Sequence, residues 1–163
     1  MDAHSLIMLA AFLVATFSAA TGAAIFKPGE WYRRLDKPQW RPPDWLFAPV
    51  WTILYASIAV SGWLVWRKAG FQEAALPLGV YALQLLLNAA WTPIFFGLRR
   101  PGPALLEILA LWLAILATIV LFQPISPAAA WLLLPYLAWV SFASALNFSI
   151  WSRNRPPASA AAR

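Results

Sequence analysis

The chain has no cysteine and a single histidine, His4, among its 163 residues. The first absence excludes a disulfide framework and thiolate-held metal, and the second excludes a histidine metal cluster, so no metal and no obligatory cofactor are expected. Charge is also scarce, with 11% Asp, Glu, Lys and Arg against 62% hydrophobic residues. No soluble domain of this size hides that much apolar surface behind so little polar cover, so the solvent around the fold is largely lipid. Acidic residues number six against twelve basic ones, giving a net charge of +6. In a soluble protein this would suggest nucleic acid. Here the basic residues lie between and after apolar runs, where they read as topology signals and lipid-headgroup contacts, and no nucleic-acid partner is expected.

What the chain has instead is apolar length and tryptophan. Five runs, Leu6 to Phe26, Leu46 to Trp66, Ala74 to Leu98, Pro103 to Phe122 and Pro127 to Ser152, are each roughly 20 to 26 residues long. At about 1.5 Å per residue each reaches across a hydrocarbon layer about 30 Å thick. The expected fold is an all-α integral membrane protein, a five-transmembrane-helix bundle forming one domain over 1–155, with a short flexible tail at 156–163. The first run reads as a retained helix and not a signal peptide: the residues before it carry no Lys or Arg, and it is longer than a signal core. Along it Ala11, Ala15, Ala19 and Ala23 form a small-residue stripe suited to close packing within the bundle. Glu107 alone interrupts the runs with a charge, and is expected in the first turn or so of the fourth helix as an interfacial carboxylate, in preference to a proton-coupling group.

Orientation follows from the lysines and arginines of the connections. Lys27, Arg33, Arg34, Lys37 and Arg41 in the first loop, Arg99 and Arg100 in the third, and Arg153, Arg155 and Arg163 at the end fall on one side, with only Arg67 and Lys68 opposite. The rich side is expected to be cytoplasmic, with the carboxyl terminus inside and the amino terminus outside. The alanine-rich composition points to a bacterial inner membrane, with a mitochondrial outer membrane as the alternative.

The eleven tryptophans suit both membrane interfaces and the binding of planar ligands. The first loop, Lys27 to Trp45, is proline-rich and aromatic, so it is compact: either a lid over one end of the bundle or an aromatic belt on the headgroups. Within the helices, Trp51 and Tyr55, Gln84 and Asn88 with Trp91 and Phe95, and Tyr136, Trp139, Ala143 and Asn147 recur at steps of three or four, each set on one side of its helix. Amides facing lipid are costly, so Gln84, Asn88 and Asn147 should face inward, as interhelical glue or as ligand contacts. Pro49, Pro93 and Pro135 interrupt apolar runs, where each frees a carbonyl and can kink its helix.

Three stretches in order resemble the TspO/MBR family of tryptophan-rich sensory proteins and mitochondrial translocator proteins. They are Lys37-Pro38-Gln39-Trp40-Arg41-Pro42-Pro43-Asp44-Trp45 with Pro49-Val50-Trp51-Thr52-Ile53-Leu54-Tyr55, then Gln84 through Gly97, then Pro135 through Asn147. The resemblance implies a five-helix bundle, commonly a homodimer, whose pocket under the first loop binds porphyrins and other tetrapyrroles, with sterols, lipids and synthetic aromatic molecules as further ligands. It places Trp31 and Tyr32 in the lid, Trp51, Asn88 and the neighbouring Trp91 at the pocket, and Trp139, Ala143 and Leu146 on the fifth-helix wall. Trp51 and Trp139 match the family's paired pocket tryptophans, implicated in light-dependent porphyrin breakdown, and are the only candidate catalytic residues.

Two departures stand out. The proposed cholesterol pattern needs a basic residue within five positions after its tyrosine, whereas Tyr136 is followed by none before Arg153, and the small-residue dimer motif of the third helix has Leu83 four positions after Gly79. A receptor or sensor needs only a pocket and is the leading reading. A porphyrin or lipid transporter and a light-dependent porphyrin-degrading enzyme are the alternatives, neither supported by an inverted repeat or by an acid, base and nucleophile set.

Overall fold

A computed structural model describes residues 2–26 and 28–155. Lys27, Arg163 and the tail 156–163, all used in the sequence reading, lie outside the described residues, as does the side chain of Ala23.

Every described element is helical: α1 (Ala3–Ser18), α2 (Thr21–Ile25), α3 (Glu30–Arg34), a 3₁₀ turn (Asp44–Leu46), α4 (Phe47–Glu73), α5 (Ala75–Thr92), a π turn (Pro93–Gly97), α6 (Pro101–Phe122), α7 (Pro127–Leu132) and α8 (Leu134–Arg153). Four helical stretches, Asp44–Glu73, Ala75–Gly97, Pro101–Phe122 and Pro127–Arg153, are long and apolar enough to cross a bilayer. The first run, read as one continuous helix, is instead α1 followed by α2, so the first of the five passes is divided. Local hydrogen bonding explains the division. Ser18 Oγ donates to Val14 O (2.7 Å), Thr21 Oγ1 donates to Ser18 O (2.8 Å), and the Ala19 and Ala20 amides close tight turns onto Thr16 and Phe17. Short hydroxyl side chains offer the backbone an alternative to the helical ladder.

The three membrane prolines have different consequences. Pro49 falls in the first turn of α4, where its missing N–H costs nothing. Pro93 opens the π turn, and the carbonyl it frees, that of Ala89, is backed by Gly22 of α2, whose Cβ position lies 3.5 Å from that oxygen. Pro135 lies in the first turn of α8, just past the break from α7, where the Leu133 amide closes a tight turn onto Ala130 O (3.1 Å). At the far end of α4 Gly70 adopts φ +66, a conformation that glycine reaches without steric penalty.

Packing is most extensive between α5 and α6, α6 and α8, and α1 and α4. The main core gathers Ile58, Val65, Tyr81, Leu111, Ile115, Phe122, Leu133, Tyr136 and Val140, and a smaller cluster of Phe95, Ala104, Leu146 and Ile150 sits at the first-loop end. Ile53, Leu86, Leu106, Leu113, Val120 and Trp131 stay exposed, as expected where the surrounding medium is hydrocarbon.

The tightest approach is at Gly62, buried in α4, where a Cβ would stand 2.7 Å from the Tyr81 ring and 2.9 Å from that of Phe12. Tyr81 cannot retreat freely, because its hydroxyl donates to Ile58 O (3.2 Å) and pairs with Thr16 Oγ1 (3.1 Å). Gly62→Ala should therefore lower stability by about 1–3 kcal/mol through overpacking. A thermal unfolding midpoint in detergent unchanged from wild type would show that α1 and α5 accommodate the methyl group.

Candidate functional site

The centre of the bundle is organised by a chain of side-chain hydrogen bonds joining three helices. Tyr55 of α4 donates to Asn88 Oδ1 of α5 (3.0 Å), Asn88 Nδ2 donates to the Tyr136 hydroxyl of α8 (2.9 Å), and Tyr136 donates to Gln84 Oε1 of α5 (3.1 Å). All four residues are buried. The i, i+4 spacing of Gln84 and Asn88 puts both amides on one face, and the absence of water in a bilayer holds them to partners on neighbouring helices. A second link runs nearer the first-loop end: Trp91 Nε1 donates to Asn147 Oδ1 (3.1 Å), and Asn147 Nδ2 donates to Pro101 O (2.8 Å). The three amides thus face inward, as their cost in lipid requires. Gln84 Nε2 has no protein partner among the described residues.

Trp51 stands over this chain, stacked on Tyr55 (5.2 Å between centroids, 29° between planes) and edge-on to Tyr136 (6.2 Å). Its neighbours Val50, Ile53 and Leu54 form one wall of an open groove of about 470 Å³ between α4 and α8, and Pro135, Ala138, Trp139 and Phe142 form the other. The groove opens on the outer face of the bundle between two helices, not inward beneath the first loop. Trp139 lies edge-on to Phe47 (5.6 Å) and tilted on Phe142 (5.6 Å), and its indole N–H is buried with no hydrogen-bond partner among the described residues. Such an unpaired donor in apolar surroundings costs about 1–3 kcal/mol unless something accepts from it.

The remaining sequence candidates assemble elsewhere. Trp31 and Tyr32 of α3 lie edge-on to Phe95 (5.9 and 6.2 Å), Trp91 stacks on Phe95 (4.9 Å, 24°), and Leu146 packs in the same cluster. Ala143, half-buried, packs against the main core. The candidates thus divide into a groove set around Trp51 and Trp139 and an under-loop set around Phe95, with Asn88 inside the hydrogen-bonded chain. Val50, Ile53, Pro135, Ala138 and Phe142 were not singled out as site residues. All of them lie within the stretches that carry the family resemblance, and Pro135, Ala138 and Phe142 also share one face of α8 with Trp139 by spacing.

The first loop is folded onto the bundle. Lys37 Nζ donates to the carbonyls of Tyr32 (2.6 Å), Leu35 (2.8 Å) and Arg33 (3.1 Å), closing the end of α3, and lies 4.9 Å from the Tyr32 ring centroid. Burial, with the Arg41 charge adding to it, lowers the Lys37 ammonium from its ordinary value, and burial raises that of the Tyr32 phenol. The loop is fastened to the end of α8 by a reciprocal pair: Asp36 N donates to Asn154 Oδ1 and Asn154 Nδ2 donates to Asp36 O, both 3.0 Å, with Arg153 beside the Asp36 carboxylate at 3.4 Å. Trp40 and Trp45, by contrast, are 50% and 71% exposed. The loop therefore covers the Phe95 cluster with one part and turns tryptophans outward with the other.

Glu107 departs from its expected place. Helix α6 begins at Pro101, so Glu107 lies nearly two turns in, and both carboxylate oxygens are buried without a hydrogen-bond partner among the described residues.

These features define a helical membrane protein with a hydrogen-bonded polar centre, a folded loop over one end and an aromatic groove between two spans. The family model of the TspO/MBR family matches residues 5–152. Protein CrtK of Rhodobacter capsulatus is 43% identical over 151 residues, covering 92% of this chain and 94% of its own length. The human translocator protein is 47% identical over 126 residues (76% of this chain, 75% of that protein), and the tryptophan-rich sensory protein of Cereibacter sphaeroides 40% over 151 (91% and 94%). The chain belongs to the TspO/MBR family and is a membrane protein.

Two outcomes follow from the site. Tyr136→Phe removes the hydroxyl that both accepts from Asn88 and donates to Gln84, and should cost about 1–2 kcal/mol, read as a lower unfolding midpoint in detergent. Asn154→Ala should speed amide exchange across residues 30–46 while leaving the helix centres protected. Exchange that stays at the wild-type rate would mean that the Phe95 contacts alone hold the loop.

Proposed function

We propose that this protein is a membrane receptor or sensor that binds a flat aromatic macrocycle, of the porphyrin and wider tetrapyrrole class, in the groove between α4 and α8. The observation that carries this reading is the groove itself, an apolar concavity walled by Val50, Ile53 and Leu54 on one side and by Pro135, Ala138, Trp139 and Phe142 on the other. Its aliphatic and aromatic walls suit the face of a planar, largely apolar ligand. The groove volume of about 470 Å³ lies within the usual range for small-molecule sites, about 300–1,000 Å³. Trp51, expected as a ligand contact, does not line the groove and instead braces its α4 wall by stacking on Tyr55. Sterols and other apolar aromatic molecules meet the same surface.

The carrier reading has one specific support, the opening of the groove toward lipid, which gives a hydrophobic ligand a lateral path. The names of the relatives, a sensory protein in one bacterium and translocator proteins in mammals, match both readings. Part of the same proposal is a homodimer in a bacterial inner membrane with the carboxyl terminus in the cytoplasm. The support for the orientation is the count of basic residues: those of the first loop and of the end of α8, which the Asp36 bonds bring together, outnumber Arg67 and Lys68 at the other end.

The test is quenching of tryptophan fluorescence by protoporphyrin in detergent. Ala138→Trp, which fills the groove, should weaken saturable binding at least about tenfold, equivalent to about 1.4 kcal/mol, and Trp139→Phe should weaken it less. Wild-type affinity in Ala138→Trp would move the ligand out of this groove, toward the Phe95 cluster beneath the loop. Bleaching of bound porphyrin under light in wild type and not in Trp139→Phe would favour the degrading enzyme over the receptor.

A further inference from the structure

A second cavity, of about 380 Å³, lies at the first-loop end between α3 and the turn that joins α5 to α6. It shares no lining residue with the groove between α4 and α8. Trp31, Leu35 and Phe96 give it an apolar floor, and Arg34 and Arg99, both exposed, bring two guanidinium groups to it. Glu30 also lines it, but its carboxylate is paired with Arg33 on the same short helix. Among the described residues, neither Arg34 nor Arg99 has a carboxylate within ion-pair reach. Arg34 and Arg99 therefore border one small space whose one lining carboxylate, Glu30, is paired with Arg33.

The backbone adds a second observation. Arg99 has φ +57 and is the one non-glycine with positive φ among the described residues. That conformation costs a side-chain-bearing residue about 1–2 kcal/mol. The exit from the π turn imposes it: Leu98 N donates to Pro93 O (2.8 Å) and Arg100 N donates to Ile94 O (3.3 Å), fixing the chain on both sides of Arg99. Glycine would meet this demand without strain, yet an arginine stands there with its side chain at the cavity.

We propose that this cavity binds the phosphate headgroup of an anionic phospholipid in the leaflet next to the first loop. Arg34 and Arg99 hold the phosphate oxygens through charge-assisted hydrogen bonds, and the glycerol and first acyl carbons lie on Trp31, Leu35 and Phe96. A lipid fits better than a free anion because the floor is aromatic and aliphatic, and because Leu98 and Phe26, exposed beside the turn, continue the apolar surface toward the hydrocarbon. A soluble phosphate would use the guanidinium groups and leave that floor wet.

The experiment is native mass spectrometry of the full chain in a neutral detergent, titrated with dioctanoyl phosphatidic acid, phosphatidylglycerol or phosphatidylcholine. Wild type should take up one molecule of either anionic lipid at least about tenfold more tightly than the choline lipid, and that preference should fall with salt. Arg34→Gln with Arg99→Gln should abolish the preference. Arg99→Gly, which removes the charge while suiting the backbone, should reduce it in a chain at least as stable as wild type. Arg67→Gln, at the opposite end, should keep it. The proposal is overturned by an equal affinity for the choline lipid, by a preference that survives in the double variant, or by displacement of the lipid by inorganic phosphate at equal concentration. Loss of protoporphyrin binding in the double variant with lipid binding intact would likewise overturn it and assign the guanidinium pair to the macrocycle's carboxylates.

Discussion

A hydrocarbon layer supplies no hydrogen bonds, and that constraint governs the arrangement of this molecule. Tyr55, Gln84, Asn88 and Tyr136 would each be costly alone in lipid, and together they satisfy one another across α4, α5 and α8. The side of α4 that carries Tyr55 must face α5, and Tyr136 must meet Asn88, so the rotation of three helices is set at once. Trp51 rests on that fixed surface through Tyr55 and Tyr136. The walls of the groove between α4 and α8 inherit their positions from the same bonds.

Irregular backbone is confined to places where it is supported. The freed Ala89 carbonyl above Pro93 is covered by Gly22, the break at Leu133 is followed by Pro135, and the turn after Ser18 is closed by its own hydroxyls. The turn after Ser18 leads the chain toward the first loop, the break at Leu133 precedes the α8 face that carries Pro135, Ala138, Trp139 and Phe142, and the π turn leads into Arg99 at positive φ. Among the described residues a few buried polar atoms stay without a partner: both Glu107 carboxylate oxygens, Gln84 Nε2, Trp139 Nε1 and Ser5 Oγ.

Much of this was legible in the sequence because the relevant patterns are local. Apolar length indicated the spans, the i, i+4 amides indicated which faces point inward, and three motifs in order indicated the family. The division of the first run was not legible, since the hydroxyls of Ser18 and Thr21 act through a hydrogen-bond competition that hydropathy does not register. Glu107 was placed too near the helix start because the apolar run was begun at Pro103, whereas α6 starts at Pro101, proline being well suited to a first helical turn.

By itself the sequence determined the class of solvent, the number of apolar runs and the inward-facing side of the helices that carry Gln84, Asn88 and Asn147, all properties of residues a few positions apart. The alanine stripe expected to pack within the bundle, by contrast, leaves Ala11 and Ala15 exposed while Thr16 is buried. Only the tertiary structure decided that Trp31 and Tyr32 cover Phe95 while Trp139 lines a groove open to lipid. It alone paired Asp36 with Asn154, which are 118 positions apart, and set Arg34 beside Arg99 around one cavity. Periodicity tells which side of a helix is polar, but which helix answers it depends on how all the side chains fill the space between them, and that is not a property of any one segment.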